Sequence, residues 1–574
     1  MFANVDHSHA RVLRRSPYIT TYAHMGEVYV YHNLTGFILK MSPDILAFLD
    51  EFEQARKRDE VVEKYAGAFG DLEPETVLFT FLDYGCLTRR NYEQLQDIWK
   101  MVPVKGRWNV WRRNDDGTLT MYAAWGDRPL TKVRLDAKQT AAWDDIDGET
   151  SMIALRDKHG YDTMASLVKE LAHHDVQALK LSPVKLSFYK GRQHQTPPYL
   201  TSSMPYAPYD PKTDPLPEAF EAQLSPEGYY RAEIEDADAQ FDFTETTLSH
   251  LFRRPHKALA QRTYGQAMIE ALVDRWELTA GPIKVLEIGG GLGWVARHVT
   301  ETLQGKGFDV TYDIMELSPT LAEAQRHNCE GLPITTYMGD CLSDDFPGTD
   351  YDVVISNEMI GDLTSVKLTR EQLHLNDEDD EDNVKFDAAV AATGLVGELI
   401  AKHVIPIGDA PPEFYLNVGA WQLVERLQGV MKPGGHAIIT EFGEMARYPI
   451  LSTQLDHPEL SIHFGHLTFV ARSVGFEADF EFVMDLLHLD RTVMGMVTSR
   501  SYYKALTAML AEDGVELDKF GYTFGMVMQL LEDKGLALNK DVGDIRFDRI
   551  EDRLMGLVPH EFKALMLTKR PADA

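Results

Sequence analysis

Cysteine is scarce in this sequence. The 574 residues include three, Cys86, Cys329 and Cys341. Their spacing fits neither a zinc-ligand pattern nor a disulfide framework, so no metal is expected and a reducing compartment is. Long apolar runs are lacking as well. No stretch approaches the roughly 18 apolar residues of a membrane span, and the basic N-terminus MFANVDHSHARVLRR is not followed by the apolar core of a secretory signal. The expectation is a soluble, cytoplasmic protein. Positive charge is in deficit: 57 Lys and Arg stand against 89 Asp and Glu, a net charge of −32. Because phosphate contacts dominate nucleic-acid affinity, such a chain excludes nucleic acid as a partner unless a basic face is segregated. A basic protein or peptide is easier to accommodate, although surplus carboxylate also serves solubility alone.

The chain is too long for a single hydrophobic core, and length predicts about two to four domains. Near the N-terminus, GEVYVYHNLTGFILKM reads as two strands turning at Asn33 and Gly36, and Ser42-Pro43 then opens a helix with Ser as cap. LTMYAAWGDRPLTKVRL repeats the plan, with Asp136 as the cap. Leu49 matches Trp143, Phe52 matches Ile146 and Val61 matches Leu155 at one common displacement, as a duplicated unit would leave them. Domains are therefore placed at 1–98 and 99–193. The Pro-, Ser- and Tyr-rich stretch at 194–224 reads as a linker. A third domain covers 225–574, with an insertion near 367–415. In that domain IKVLEIG, VTYDIMEL, YDVVISN and GHAIITEF alternate with helical stretches, the pattern of a parallel α/β sheet.

The sharpest motif is VLEIGGGLGW. A dinucleotide fingerprint requires G-x-G-x-x-G, but Trp294 occupies its last position. The pattern is instead E-x-G-x-G-x-G, from Glu287 through Gly289, Gly291 and Gly293, the form associated with S-adenosylmethionine. Glycines let the backbone turn sharply against a ligand, and Glu287 is placed to engage its charged amino-acid part. Glu316 closes the next strand, where a carboxylate accepts both ribose hydroxyls. Asp340 in YMGDCL follows a third strand and is placed to accept from an adenine amino group, with the Cys341 backbone as donor; the alternative for Asp340 is a helix cap. The fourth strand delivers Asn357, Glu358 and, a turn later, Asp362. Carboxylates there suit a guanidinium acceptor, which must be oriented and deprotonated, with Glu358 as clamp or base; the alternative is helix capping by Asn357 and Glu358. His463 and His466, in HFGH, read as core or capping residues, with no third ligand for a metal.

Two family resemblances follow from these residues. The N-terminal copy, SPYITTYAHMGEVYVYHNLTGFILKMSPDILAFLDEF with ETVLFTFLDYGCLTRR, resembles PqqD-like domains. That resemblance implies two winged-helix-like α+β domains, the first able to bind a leader peptide as an added strand; packing or dimerisation is the alternative. Residues 225–570 resemble the MidA-like methyltransferases, a family that includes mitochondrial complex I assembly factors. The similarity rests on Gly228-Tyr229-Tyr230, ELSPTLAEAQ, Asn357-Glu358, TEFGE, SIHFGHLTFVARSVGF and HEFKALML in order. It implies a Rossmann-like class I domain, S-adenosyl-L-methionine as cofactor and symmetric methylation of protein arginine. The sequence departs from the family where N-E-x-x-D puts Gly361 at the acid, with Asp362 one place on, and where Thr247 replaces the acid of a T-A-P-E segment. Arginine specificity is thereby left open. The acids of HLNDEDDEDNVKF could receive a basic substrate or form a solvated loop. Methylation of a protein or peptide side chain, arginine first, is the expected activity. Tailoring of a natural-product peptide and a non-catalytic cofactor-binding assembly role are the alternatives, and an oligomer is compatible with all three.

Overall fold

The computed structural model describes residues 11–24, 27–70, 72–89, 98–106, 110–124, 129–189, 227–231, 234, 247–375, 384–451, 459–496, 500–517, 522–536, 542–543, 545–549 and 562–571. The linker at 194–224, residues Thr244 to Thr246 and most of the acidic run lie outside them. The chain forms two compact units. One comprises Met1–Phe220, Val497–Asp518 and Gly525–Arg546; the other comprises Glu221–Met496, Lys519–Phe524 and Phe547–Ala574.

The first unit contains the same layout twice. Val12–Arg15 pairs antiparallel with Leu87–Arg89, and between them lie a meander (Ile19–His24, Glu27–His32, Phe37–Met41) and three helices (Pro43–Asp50, Arg58–Lys64, Pro74–Asp83). In the second copy Val102–Lys105 pairs with Leu179–Ser182 around the meander Val110–Arg113, Leu119–Ala123 and Thr131–Leu135, with helices Ala137–Asp144, Met152–His159 and Tyr161–Leu171. Local chemistry explains the shared helix start. The Ser42 hydroxyl accepts from Ile45 N at 3.4 Å, and the Asp136 carboxylate accepts from Gln139 N at 2.8 Å while the Gln139 side chain takes Asp136 N, a capping box. The matched residues Leu49 and Trp143, Phe52 and Ile146, Val61 and Leu155 are all buried.

Residues from far along the chain complete this unit. Val542–Gly543 adds a fourth strand to the second meander, with Val542 opposite Arg112 and Gly543 opposite Trp111. At the end of helix Arg500–Ala511, Glu512 accepts from the Tyr122 hydroxyl at 2.7 Å and pairs with Lys132, while Asp513 pairs with Arg112 at 2.8 Å. The sequence reading puts all of 225–574 in one domain. The difference arises because these pairings join residues hundreds of positions apart, which no local periodicity encodes.

The second unit is Rossmann-like and doubly wound. Its strands are β1 (Pro282–Ile288), β2 (Asp309–Glu316), β3 (Ile334–Met338), β4 (Tyr351–Asn357), β5 (Met431–Glu444), β6 (Phe476–Phe482) and β7 (Phe562–Lys569). They run in the order β3-β2-β1-β4-β5-β7-β6, and Ile462–His463 pairs with the end of β5. The first five are parallel, and β7 enters antiparallel between β5 and β6, the arrangement of class I methyltransferases. The central strands β1, β4 and β5 are apolar on both faces because helices cover both. Leu286, Val354 and Ile439 pack with Trp421 and Leu427 of α4 (Val418–Val430) and Leu467 of α5 (Phe464–Ser473). Val285, Ile355 and Ile438 pack with Met268 and Leu272 of α1 (Tyr264–Arg275) and Val299 of α2 (Trp294–Gly305). Between β4 and β5, Val366–Thr369 pairs with Glu413–Leu416, enclosing helices Val384–Ala392 and Leu395–His403. Among the described residues no helix is long and apolar enough to cross a membrane.

Candidate functional site

Parallel strands end together, and this sheet gathers its polar residues along the carboxyl edge of β1, β2, β4 and β5, where open α/β sheets bind ligands. After β1 the chain turns through Gly289 (φ 71°) and Gly293 (φ 84°), and Gly293 caps α2. A β-carbon on Gly289 would lie 2.5 Å from Met359 Cγ, so only glycine lets the loop pass the segment that follows β4. The loop and the Asn357–Asp362 segment are therefore neighbours.

Glu316 ends β2, is 4% exposed and faces the same loop. Oε1 accepts from Ser318 N at 3.0 Å, and Oε2 accepts from Gln325 Nε2 at 2.7 Å, which also donates to Gly291 O at 2.9 Å. Burial raises its carboxyl above the usual range while these donors pull it back. The backbone N–H groups of Leu317 and Gly290 donate to it as well, so the carboxylate is tied to the glycine loop on one side and to the start of the next helix on the other. Gln325, on α3 (Pro319–Asn328), leaves its buried Oε1 with no partner. A glycine-walled turn beside a strand-end acid and an orphaned amide oxygen fits a nucleoside-bearing ligand. Glu287 lies deeper. It is 1% exposed, its Oε2 accepts from the Tyr312 hydroxyl at 2.9 Å, and burial pushes its carboxyl up to about 8. Asp340 builds its own turn, with no helix behind it to cap: Oδ1 accepts from Leu342 N at 2.8 Å, and its N donates to Asp344 Oδ2 at 2.8 Å, with Arg231 Nη2 3.9 Å from Oδ2. Cys341 is buried, which pushes its thiol up to about 12.

The remaining acids collect where β4 ends against β5, Asn357 beside Thr440. Asn357 Oδ1 accepts from the hydroxyls of Tyr264 (2.6 Å) and Thr440 (2.8 Å). Glu358 has a left-handed backbone (φ 52°), unusual for a side-chain-bearing residue, and its N donates to Thr440 O. Its carboxylate accepts from Leu248 N at 2.9 Å and Ser249 N at 3.1 Å, so it seats the short helix that Thr247 caps. Burial raises the carboxyl to about 7 against the pull of those N–H donors. Asp362 Oδ2 accepts from the Tyr230 hydroxyl at 2.7 Å. Tyr230 also packs with Ile234, Leu292, Trp294 and Leu321, joining the Gly228-Tyr229-Tyr230 region to the glycine loop.

Sequence reasoning missed three contributors. Glu441, 1% exposed, ends the apolar run of β5 as Glu358 ends that of β4; Gly361 N donates to it at 3.2 Å, and burial, then the nearby Glu358 and Asp362, hold it well above the usual carboxylate range. Its signal is the acid closing GHAIITE. Gln325 stands at the end of the quoted ELSPTLAEAQ, whereas Tyr264 sits in an ordinary amphipathic helix and gives no signal. His463 and His466 stack at 3.6 Å inside the core, held down to about 4 and about 3 by burial. His463 Nδ1 caps α5 through His466 N.

No protein-family profile and no curated protein matches the chain. Solved structures of similar form include a COG1565 superfamily member from Burkholderia thailandensis bound to S-adenosyl-homocysteine (14% identity, 58% of this chain and 81% of that one, TM-score 0.34). Others are phosphoethanolamine N-methyltransferase 2 of Haemonchus contortus with S-adenosyl-L-methionine (14%, 59% and 60%, TM-score 0.27) and a TehB-like SAM-dependent methyltransferase from Corynebacterium glutamicum (15%, 39% and 78%, TM-score 0.21). None of these reaches a TM-score of 0.5, and the class I fold rests on the strand order and the reversed β7.

Proposed function

We propose that the second unit is an S-adenosylmethionine-dependent methyltransferase acting on a nitrogen of a protein or peptide side chain, arginine first. The observation that carries this reading is the adjacency of two sets of groups: the glycine turn with Glu316 and Gln325, and, across Met359, the acids Glu358, Asp362 and Glu441. Glu316 and Gln325 would hold the ribose, with Gly289, Gly291 and Gly293 passing the amino-acid part and Asp340 and Cys341 bordering the base. When bound, the cofactor supplies an electrophilic methyl group. This chain's own residues orient the acceptor and remove its proton. A carboxyl near 7 is half ionised at neutral pH, which suits a base, so Glu358 is the assigned acceptor of that proton, with Asp362 and Asn357 orienting.

The twin repeats of the first unit would recruit the peptide. Phe37–Met41 and Thr131–Leu135 each end their sheet among the described residues and alternate exposed with less exposed positions, as a strand-addition edge does. The same edges suit a natural-product precursor with a leader peptide. The engagement of Glu358 with Leu248 N and Ser249 N favours a second reading, a cofactor-binding assembly factor without turnover. Calorimetric titration with S-adenosylmethionine and with NAD tests the cofactor, and binding of the first alone is expected. Glu316→Ala should lose that binding, whereas Glu358→Ala should retain it and lose methyl transfer. Full transfer by Glu358→Ala would remove the site assignment.

A further inference from the structure

A second polar cluster lies in the first unit, at the end of helix Tyr161–Leu171, where the chain turns through His173, His174 and Asp175. Buried anchors fix this turn. Val176 N and Gln177 N both donate to His173 O, at 2.9 and 2.8 Å, the Gln177 amide donates to His174 O at 2.8 Å, and Ala178 N returns to Leu171 O at 2.7 Å. Val176 and Ala178 are each 3% exposed, within the core of the second repeat. Gln177 holds φ at 48°, a left-handed conformation that only a well-determined loop retains.

The three side chains converge. His173 Nδ1 lies 3.6 Å from Asp175 Oδ2, and His174 Nε2 lies 3.4 Å from Asp175 Oδ1, with all three ligand atoms within 4.8 Å of one another. These separations are long for hydrogen bonds. Each, measured to a different oxygen of the same carboxylate, is close to the edge of about 3.3 Å that separates neighbouring tetrahedral ligands with metal–ligand bonds of about 2.0–2.1 Å. Asp175 N points at His173 Nδ1 from 3.3 Å, which requires a lone pair on that nitrogen, the tautomer a metal ion needs. At 3.3 Å this weak bond is readily exchanged for a metal bond. The helix presents its negative end to the cluster, and the side chains keep 51%, 31% and 39% of their surface, so an ion has a route in.

We propose that His173, His174 and Asp175 form a binding site for a divalent transition metal of the zinc class, with a fourth position open to water or to a partner's side chain. Two imidazoles and one carboxylate select such ions over magnesium and calcium, which take oxygen ligands. The test is calorimetric titration of the full chain with zinc chloride at pH 7.5, beside the double variant His173→Ala/His174→Ala and the single variant Asp175→Ala. All replace surface side chains, so folding should be unaffected. The expected result is one micromolar binding event that the double variant lacks and Asp175→Ala weakens at least tenfold, and that magnesium chloride does not compete for. Cobalt chloride should give the visible absorption of a four-coordinate ion. Zinc binding that persists unchanged in the double variant, no event in the wild type, or equal competition by magnesium would each overturn the assignment.

Discussion

Lys180 is fully buried in the first unit, its Nζ donating to Asn33 O at 3.0 Å and lying 4.7 Å above the Tyr31 ring. Burial pulls its ammonium down to about 7 from the ordinary 10.5. In the unfolded chain the amine stays protonated up to 10.5, so above pH 7 unfolding takes up a proton and stability rises with pH. Below about 7 both states are charged and the cost of burying that charge is present in full. Each pH unit between these limits is worth about 1.4 kcal/mol, or ~2.7 kcal/mol between pH 7 and 9. Above 9 the unfolded Cys86 thiol begins to ionise, whereas burial holds it at about 12 in the fold, which opposes the gain from Lys180. Lys180→Met keeps the volume and removes the titration. The variant should be more stable than wild type by ~2–4 kcal/mol at pH 7, the charge cost less one lost hydrogen bond. That gap should shrink by ~2.7 kcal/mol at pH 9. Urea unfolding of both proteins at pH 7, 8 and 9 measures it, and the opposing titration of Glu287, raised to about 8, cancels in the difference. A gap that stays constant across this range would refute the reasoning.

Gly289→Ala should abolish S-adenosylmethionine binding in calorimetry and cost ~1–3 kcal/mol in urea unfolding, because the new methyl meets Met359 at 2.5 Å with φ at 71°. Methyl transfer should rise with pH through about 7 as Glu358 ionises and then level off; Glu358→Gln should lower it ~100-fold with cofactor affinity unchanged, read from initial rates between pH 5.5 and 8.5. Trp143→Ala, emptying a fully buried position in the second repeat, should destabilise by ~3–5 kcal/mol in chemical unfolding.

The sequence carried the second unit well because its signals are local. The apolar runs of β2 and β4 end on a polar residue, Glu316 and Asn357, and the glycine spacing follows from what the first turn must do. The duplication was visible because Ser42 and Asp136 cap helices by the same mechanism and matched residues keep their burial. What stayed hidden is what sequence separation hides. Tyr230 meets Asp362, and Leu248 N meets Glu358, across more than a hundred positions. Val542 meets Arg112 across more than four hundred. Asp340 shows the limit of motif reading, since a nucleobase contact, a helix cap and the turn it actually holds all call for the same residue in the same place.

The late segments of the chain bear on how the protein is made. The first unit takes a strand at Val542–Gly543, and the second sets β7 (Phe562–Lys569) between β5 and β6. A ribosome delivers residues in order, at about 5–20 per second, so the first unit waits with an open sheet edge until residue 543 is made and the second until residue 569 is. The edge at Val110–Arg113 is exposed for most of that time, so each sheet receives its last strand long after the strands that flank it have been made.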